Sequence, residues 1–213
     1  MQIDKNDEAI LYEEFQRTHA GGLITPASQD VPNVDFSSDG TARECRIWEG
    51  YLDASCLLLK TVVDEWPRAN NLIFPALFNL RHAIEVALKW HIKYAGGTVP
   101  KRAGHDLRIL MDTFCSVAAE LDDEDSCIAP DNFLRCIGEI ASLDPRGITF
   151  RYSSEHDGSP IRITSEVWDI RALYFAVSDF GVVLDDLSNR IERSWLKSDR
   201  KDRNLETSVS EDL

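Results

Sequence analysis

Between Arg81 and Arg108 the chain gathers the side chains best suited to holding an anion. Arg81, Lys89, Lys93, Lys101, Arg102 and Arg108 stand there against only Glu85 and Asp106. The chain as a whole is acidic, with 37 Asp and Glu against 23 Lys and Arg and a formal net charge of −14. One acidic run, Glu120 followed by Asp122 to Asp125, carries part of that excess. A field of this sign repels phosphate, which argues against broad binding to nucleic acid or to anionic membranes. A basic segment inside it is either a phosphate or partner site, or a solvated face offset by neighbouring acids. Arg81, Glu85 and Lys89 lie four apart, so on a helix they form a ladder of ion pairs. Each pair is worth about 0.2–0.5 kcal/mol when exposed. His105 also has two readings: an acid–base group beside the basic segment, or, with Asp106, a cap that pins a helix to its loop. The structural role is the commoner one. If the segment binds a ligand, Arg81, Lys89 and His105 are the residues expected to hold it.

Other reactive groups are sparse. The five cysteines (Cys45, Cys56, Cys115, Cys127 and Cys136) are odd in number and show no C-x-x-C spacing. Most of them fall in apolar helical patterns, where a thiol packs as a small hydrophobe. This predicts reduced cysteines, no structural metal and a cytoplasmic protein. The sequence contains no G-x-x-x-x-G-K-S/T loop, no G-x-G-x-x-G, no H-E-x-x-H and no G-x-S-x-G. Nucleotide hydrolases, zinc proteases and α/β-hydrolases of the familiar kinds are therefore poor fits, and no cofactor is expected. His91, on an apolar helical face, is expected to be a satisfied core histidine, while His82 and His19 carry no signal. The tryptophans and phenylalanines lie mostly in core stripes, which does not support a base-stacking platform.

The elements that must position these groups are mainly helices. At 213 residues, 43% of them hydrophobic, the chain can bury one full core, and no Gly/Ser- or Pro-rich linker divides it. A weak helix is expected from about Asp7 to His19, then a loop or arm to Gly40, so that residues 1–40 form an N-terminal arm. Ile47, Tyr51, Ala54, Leu58 and Val62 mark a long helix from Thr41 to Trp66, ended by Pro67. Leu77, Leu80, Ile84, Leu88 and His91 mark another from Leu72 to Tyr94, stopped by Gly96-Gly97. A third begins at Leu107 behind Asp106, and a shorter one spans Pro130 to Leu143. Ile148, Phe150 and Tyr152 alternate, as do Ile161 and Ile163, around a turn-rich stretch, which predicts one small β-hairpin. The last helix, from about Val167 to Ile191, closes the domain 41–196, and residues 197–213 read as a mobile charged tail. The fold class is all-α, an irregular bundle of five or six helices. No stretch approaches the length of a membrane span, and the acidic start Met1 to Glu8 lacks the basic and apolar regions of an export signal.

A resemblance joins these observations. Phe78-Asn79-Leu80-Arg81-His82-Ala83-Ile84-Glu85-Val86-Ala87-Leu88-Lys89, followed by Gly104-His105-Asp106-Leu107, resembles the HEPN superfamily of small helical domains. Phe150-Arg151-Tyr152 and the Asp157-Gly158 turn are similar to a Phe-Arg-Tyr hairpin in some bacterial members. The resemblance covers roughly residues 70 to 190. It implies a HEPN-like helical bundle that pairs with a second copy or a related helical chain, with RNA as a further partner. Many HEPN domains are metal-independent ribonucleases in bacterial defence or toxin–antitoxin modules. Their motif is an Arg followed, four to six residues on, by a His. Arg151 and His156 have that spacing, so the resemblance implies catalysis by this pair. The His would move the proton of an RNA 2′-hydroxyl while the Arg holds the charge developing on phosphate. The pair spans an expected strand and loop rather than a helix, and Tyr152 stands where a polar residue is usual. Those departures and the acidic charge favour a non-catalytic binding or regulatory subunit over the ribonuclease. Apolar excess on the two long helices, with Trp48, Trp66, Trp168 and Trp195 at or near their ends, also predicts a homodimer.

Overall fold

The structure is a computed structural model that describes residues 40–65, 69–121, 129–163 and 167–211, with backbone alone for 69 and 198–211. The apolar stripes read from the sequence become five α-helices: α1 Gly40–Asp64, α2 Ala69–Tyr94, α3 Leu107–Glu120, α4 Asp131–Leu143 and α5 Ile170–Glu211. A 3₁₀ turn, Lys101–Ala103, precedes α3. All five belong to one compact unit, Asp39–Leu213. The expected N-terminal helix and arm, the residue Trp66 and Cys127 lie outside the described residues.

α2 is the centre of the bundle and packs against α1, α3 and α5, while α4 lies on α3. Its stripe is wide because it meets neighbours on several sides: Ala76, Leu80, Ala83, Ile84, Ala87 and Leu88 are all buried. Small residues in that row let helices approach closely. Ser55, buried on α1, donates its Oγ to Ala76 O at 2.9 Å and ties α1 to α2. The end of α2 follows the Gly-Gly signal, with Gly96 at φ +84° and Gly97 N donating to Ile92 O at 2.8 Å. A Cβ on Gly97 would stand 2.6 Å from a methyl of Val117, so α3 rests directly on that turn.

His91 is buried and held as a core histidine, with Nδ1 2.8 Å from Ala87 O and Nε2 3.1 Å from Ser188 Oγ on α5. Burial pushes its pKa down. Each ring nitrogen faces a helix carbonyl, Nδ1 that of Ala87 and Nε2 that of Leu184 at 3.2 Å, and the Ser188 hydroxyl itself donates to Leu184 O at 3.1 Å. Trp48 and Phe114 pack around it at ring-centroid distances of 6.0 Å each.

Three expectations are corrected. No strand occurs among the described residues; the expected hairpin is a turn-rich loop with one antiparallel bridge, Ser154 to Pro160. Glu155 N and Ile161 N donate across it, to Ser159 O and Ser153 O, but four N–H groups ahead of Ser153 are taken elsewhere. Those of Ile148 and Thr149 go to Asp144 Oδ1, and those of Arg151 and Tyr152 go to Ile148 O. The final helix also runs on to Glu211 instead of stopping near Trp195. Nothing between Leu196 and Glu211 is Gly or Pro, so no breaker ends it. Finally, Trp48 is not surplus surface on α1 but a core residue.

Candidate functional site

The basic segment is built around a buried cation. Arg81, Glu85 and Asp144 have side chains only 3%, 4% and 1% exposed, so their charges must be answered inside the protein. Arg81 Nη1 donates to Glu85 Oε2 at 2.8 Å, one turn along α2. Its Nε reaches Asp144 twice, 3.2 Å from the carbonyl oxygen and 3.3 Å from Oδ2. Its Nη2 donates to His105 O at 2.6 Å. One planar guanidinium thus joins α2, the loop before α3 and the end of α4, a task for which its fixed fork of donors is suited.

Each partner is held from its other side. Asp144 ends α4 and turns its Oδ1 onto the N–H groups of Ile148 and Thr149, at 2.8 and 3.0 Å. Gly147, at φ +73°, lets that turn close, and a Cβ there would lie 3.3 Å from Arg81 Cζ. Glu85 Oε1 accepts from Lys89 Nζ at 2.7 Å and from His105 Nδ1 at 2.8 Å. A carboxylate only accepts, so Nδ1 of His105 carries the hydrogen and Nε2 is the ring's other nitrogen. Burial acts to raise the pKa of Glu85, but the hydrogen bonds from Lys89 and His105 outweigh it and hold the pKa low. Asp106 caps α3, accepting from Arg108 N at 2.9 Å and Ile109 N at 3.3 Å.

The solvated-face reading therefore fails for Arg81 and Glu85, which are interior, while Lys89 and His105 sit above them with side chains 27% and 72% exposed. Phe78, His82, Glu85 and Lys89 follow one another at the spacing of a single helical face. His82 stacks on Phe78 at an interplanar angle of 8° and meets Tyr51 edge-on at 4.5 Å. Burial lowers its pKa, with Arg81 and Lys89 acting in the same direction and Glu85 against them. Arg151 completes the row, its guanidinium 5.6 Å from the Phe78 ring centroid and 5.4 Å from that of Tyr152.

Arg151 is exposed, and its Nε donates to Gly147 O at 2.8 Å. His156 is exposed in the turn from Glu155 to Ser159, where Glu155 N donates to Ser159 O at 2.8 Å. Among the described residues no hydrogen bond orients its ring. Arg146 pairs with Glu155 across the mouth of this loop. Asp144, Phe78 and His82 were not singled out in the sequence. The Asp-Pro-Arg-Gly run from 144 to 147 was the available signal for a turn, but nothing local ties it to Arg81, 63 positions away. Among the described residues no group of three or more His, Cys, Asp or Glu could hold a metal ion. Cys45, Cys56, Cys115 and Cys136 are free thiols. No helix among the described residues is long and apolar enough to cross a membrane. No family model matches the chain, and no curated protein or solved structure matches it either.

Proposed function

We propose that this chain is a non-catalytic, HEPN-like binding or regulatory subunit that pairs with a second copy or a related helical chain. Its partner site is the ridge from Arg151 across Phe78 and His82 to Lys89 and His105. The observation that carries this reading is the use of Arg81. Its guanidinium is spent on Glu85, Asp144 and the His105 carbonyl, so it braces the ridge and is not available to a ligand. Through Glu85 the same brace fixes Lys89 and His105 at the surface. A fixed row of basic and aromatic side chains suits carboxylates and flat apolar groups of a protein partner. RNA is the less favoured occupant, because the net charge of −14 opposes a long polyanion.

The ribonuclease alternative rests on the spacing of Arg151 and His156. It is weakened by the solvent-facing ring of His156 and by the bond from Arg151 to Gly147. The test has two parts. Purified protein incubated with mixed RNA and a chelator leaves the RNA intact; products with 2′,3′-cyclic phosphate ends that vanish in Arg151→Ala would establish the alternative. A synthetic acidic peptide containing phenylalanine, titrated into the labelled protein, shifts the amides of His82, Lys89 and His105. That response weakens in Lys89→Ala and with added salt. Absence of the response rejects the ridge as the partner site.

A further inference from the structure

A groove of about 870 Å³ opens where α3, α4 and the head of α5 meet, and it shares no residue with the ridge. Met111, Ile140, Leu143, Trp168 and Leu173 give it apolar walls. The volume lies in the range of small-molecule sites. α4 carries Gly138 in its interior at this groove, and a Cβ built there meets no atom within 4 Å. Glycine inside a helix costs about 1 kcal/mol relative to alanine. No close packing among the described residues requires it here, and the missing side chain leaves that part of the groove open.

The rim carries both signs of charge: Arg108 and Asp112 on α3, Arg135 and Glu139 on α4. Each pair has the four-residue spacing of a helical ion pair. Among the described residues neither pair is closed. Arg108 instead donates Nη2 across to Ser142 Oγ at 2.7 Å, and Ser142 Oγ lies 2.7 Å from Gly138 O. The guanidinium is thereby anchored over the groove and away from its own helix.

We propose that this groove binds a small zwitterion with an apolar body, of the apolar amino-acid or short-peptide class. Arg135 takes its carboxylate, Asp112 and Glu139 take its ammonium, and the body lies on the Trp168 and Met111 wall. The whole-molecule charge of −14 disfavours a net anion, whereas a zwitterion is neutral overall and answers both signs of the rim. This goes beyond the partner site on the ridge and does not depend on it.

The probe is the dipeptide leucyl-phenylalanine, compared with its N-acetylated and C-amidated forms, titrated into the labelled chain. The free dipeptide should give saturable amide shifts at Met111, Gly138 and Leu173. Each capped form should bind about tenfold more weakly, the loss expected for one charge-assisted contact. Arg135→Ala should weaken the free dipeptide but leave the C-amidated form unchanged, and Gly138→Leu should abolish the shifts. If the leucine variant fails to fold, the arginine variant carries the test. Absence of saturable shifts, shifts confined to another surface, or equal affinity for all three forms overturns the proposal.

Discussion

Arg81 Nη1 lies 2.8 Å from Glu85 Oε2, and both side chains are almost wholly withdrawn from solvent. A pair so placed is weak evidence for net stability but strong evidence for what its disruption costs. Removing one member strands the other's charge in the interior, a loss of about 3–5 kcal/mol. Arg81→Ala should therefore be among the most destabilising single substitutions, measured by urea unfolding. Glu85→Ala should cost less when added to Arg81→Ala than when made alone, because the two act as a unit. Additive losses would show that the pair is not energetically coupled.

Gly147 tests the same brace through the backbone. Its φ of +73° lies in the left-handed region, and an added Cβ would stand 3.3 Å from Arg81 Cζ. Conformational strain alone costs about 1–2 kcal/mol for a non-glycine residue, and displacement of the guanidinium adds to it. Gly147→Ala should lower stability by about 2 kcal/mol. Gly158→Ala, also at positive φ but with open space around it, should cost only the strain. Equal losses at the two positions would deny the contact with Arg81.

These two positions show where the sequence was legible. Helical stripes were readable because burial repeats every three or four residues, and α2, with its Gly-Gly stop, emerged nearly at its expected limits. The cap at Asp106 was readable because carboxylate and helix start are neighbours. The brace was not. The Arg81, Glu85 and Lys89 spacing is the same on a wet face as in an interior, and only Asp144 decides between them. The hairpin was misread because alternation of Ile148, Phe150 and Tyr152 says nothing about which acceptor takes their N–H groups. Asp144 takes that of Ile148 and the Ile148 carbonyl takes that of Tyr152, so the buried Phe150 sits in a turn.

Acid should destabilise the protein in two steps. Burial pushes the pKa of His91 below the ordinary 6.5, and that of His82 likewise. The stability gained by keeping these rings neutral is complete above 6.5 and is lost as pH falls below it, because the unfolded chain binds the protons more readily. Glu85 follows at lower pH. Its folded pKa is held beneath the ordinary 4.5, so its contribution is present above that value and disappears as the carboxyl protonates. Unfolding free energy measured against pH should show both limbs. His91→Phe should shrink the upper one to the part that His82 contributes and leave the lower. An unchanged upper limb in that variant would show that His91 does not titrate with folding.

The homodimer expected from the sequence would rest on apolar groups that the bundle leaves at its surface. α1 and α5 pack against each other. Yet Leu57 on α1 is 67% exposed, and Phe175 and Val182 on α5 are 59% and 70% exposed. Phe175 and Val182 stand seven residues apart, two helical turns, and so share one side of α5. Large apolar side chains grouped on one side of a long helix are the usual mark of a contact surface. A symmetric pair of chains is the commonest way to cover such a surface. Light scattering at micromolar concentration should report twice the chain mass of 24.1 kDa, and Val182→Glu should return the protein to the single-chain mass. The substitution places a charge at an exposed site, so it should leave the unfolding free energy per chain within about 0.5 kcal/mol in the dissociated state. A native protein that already scatters as a 24.1 kDa species would reject the homodimer.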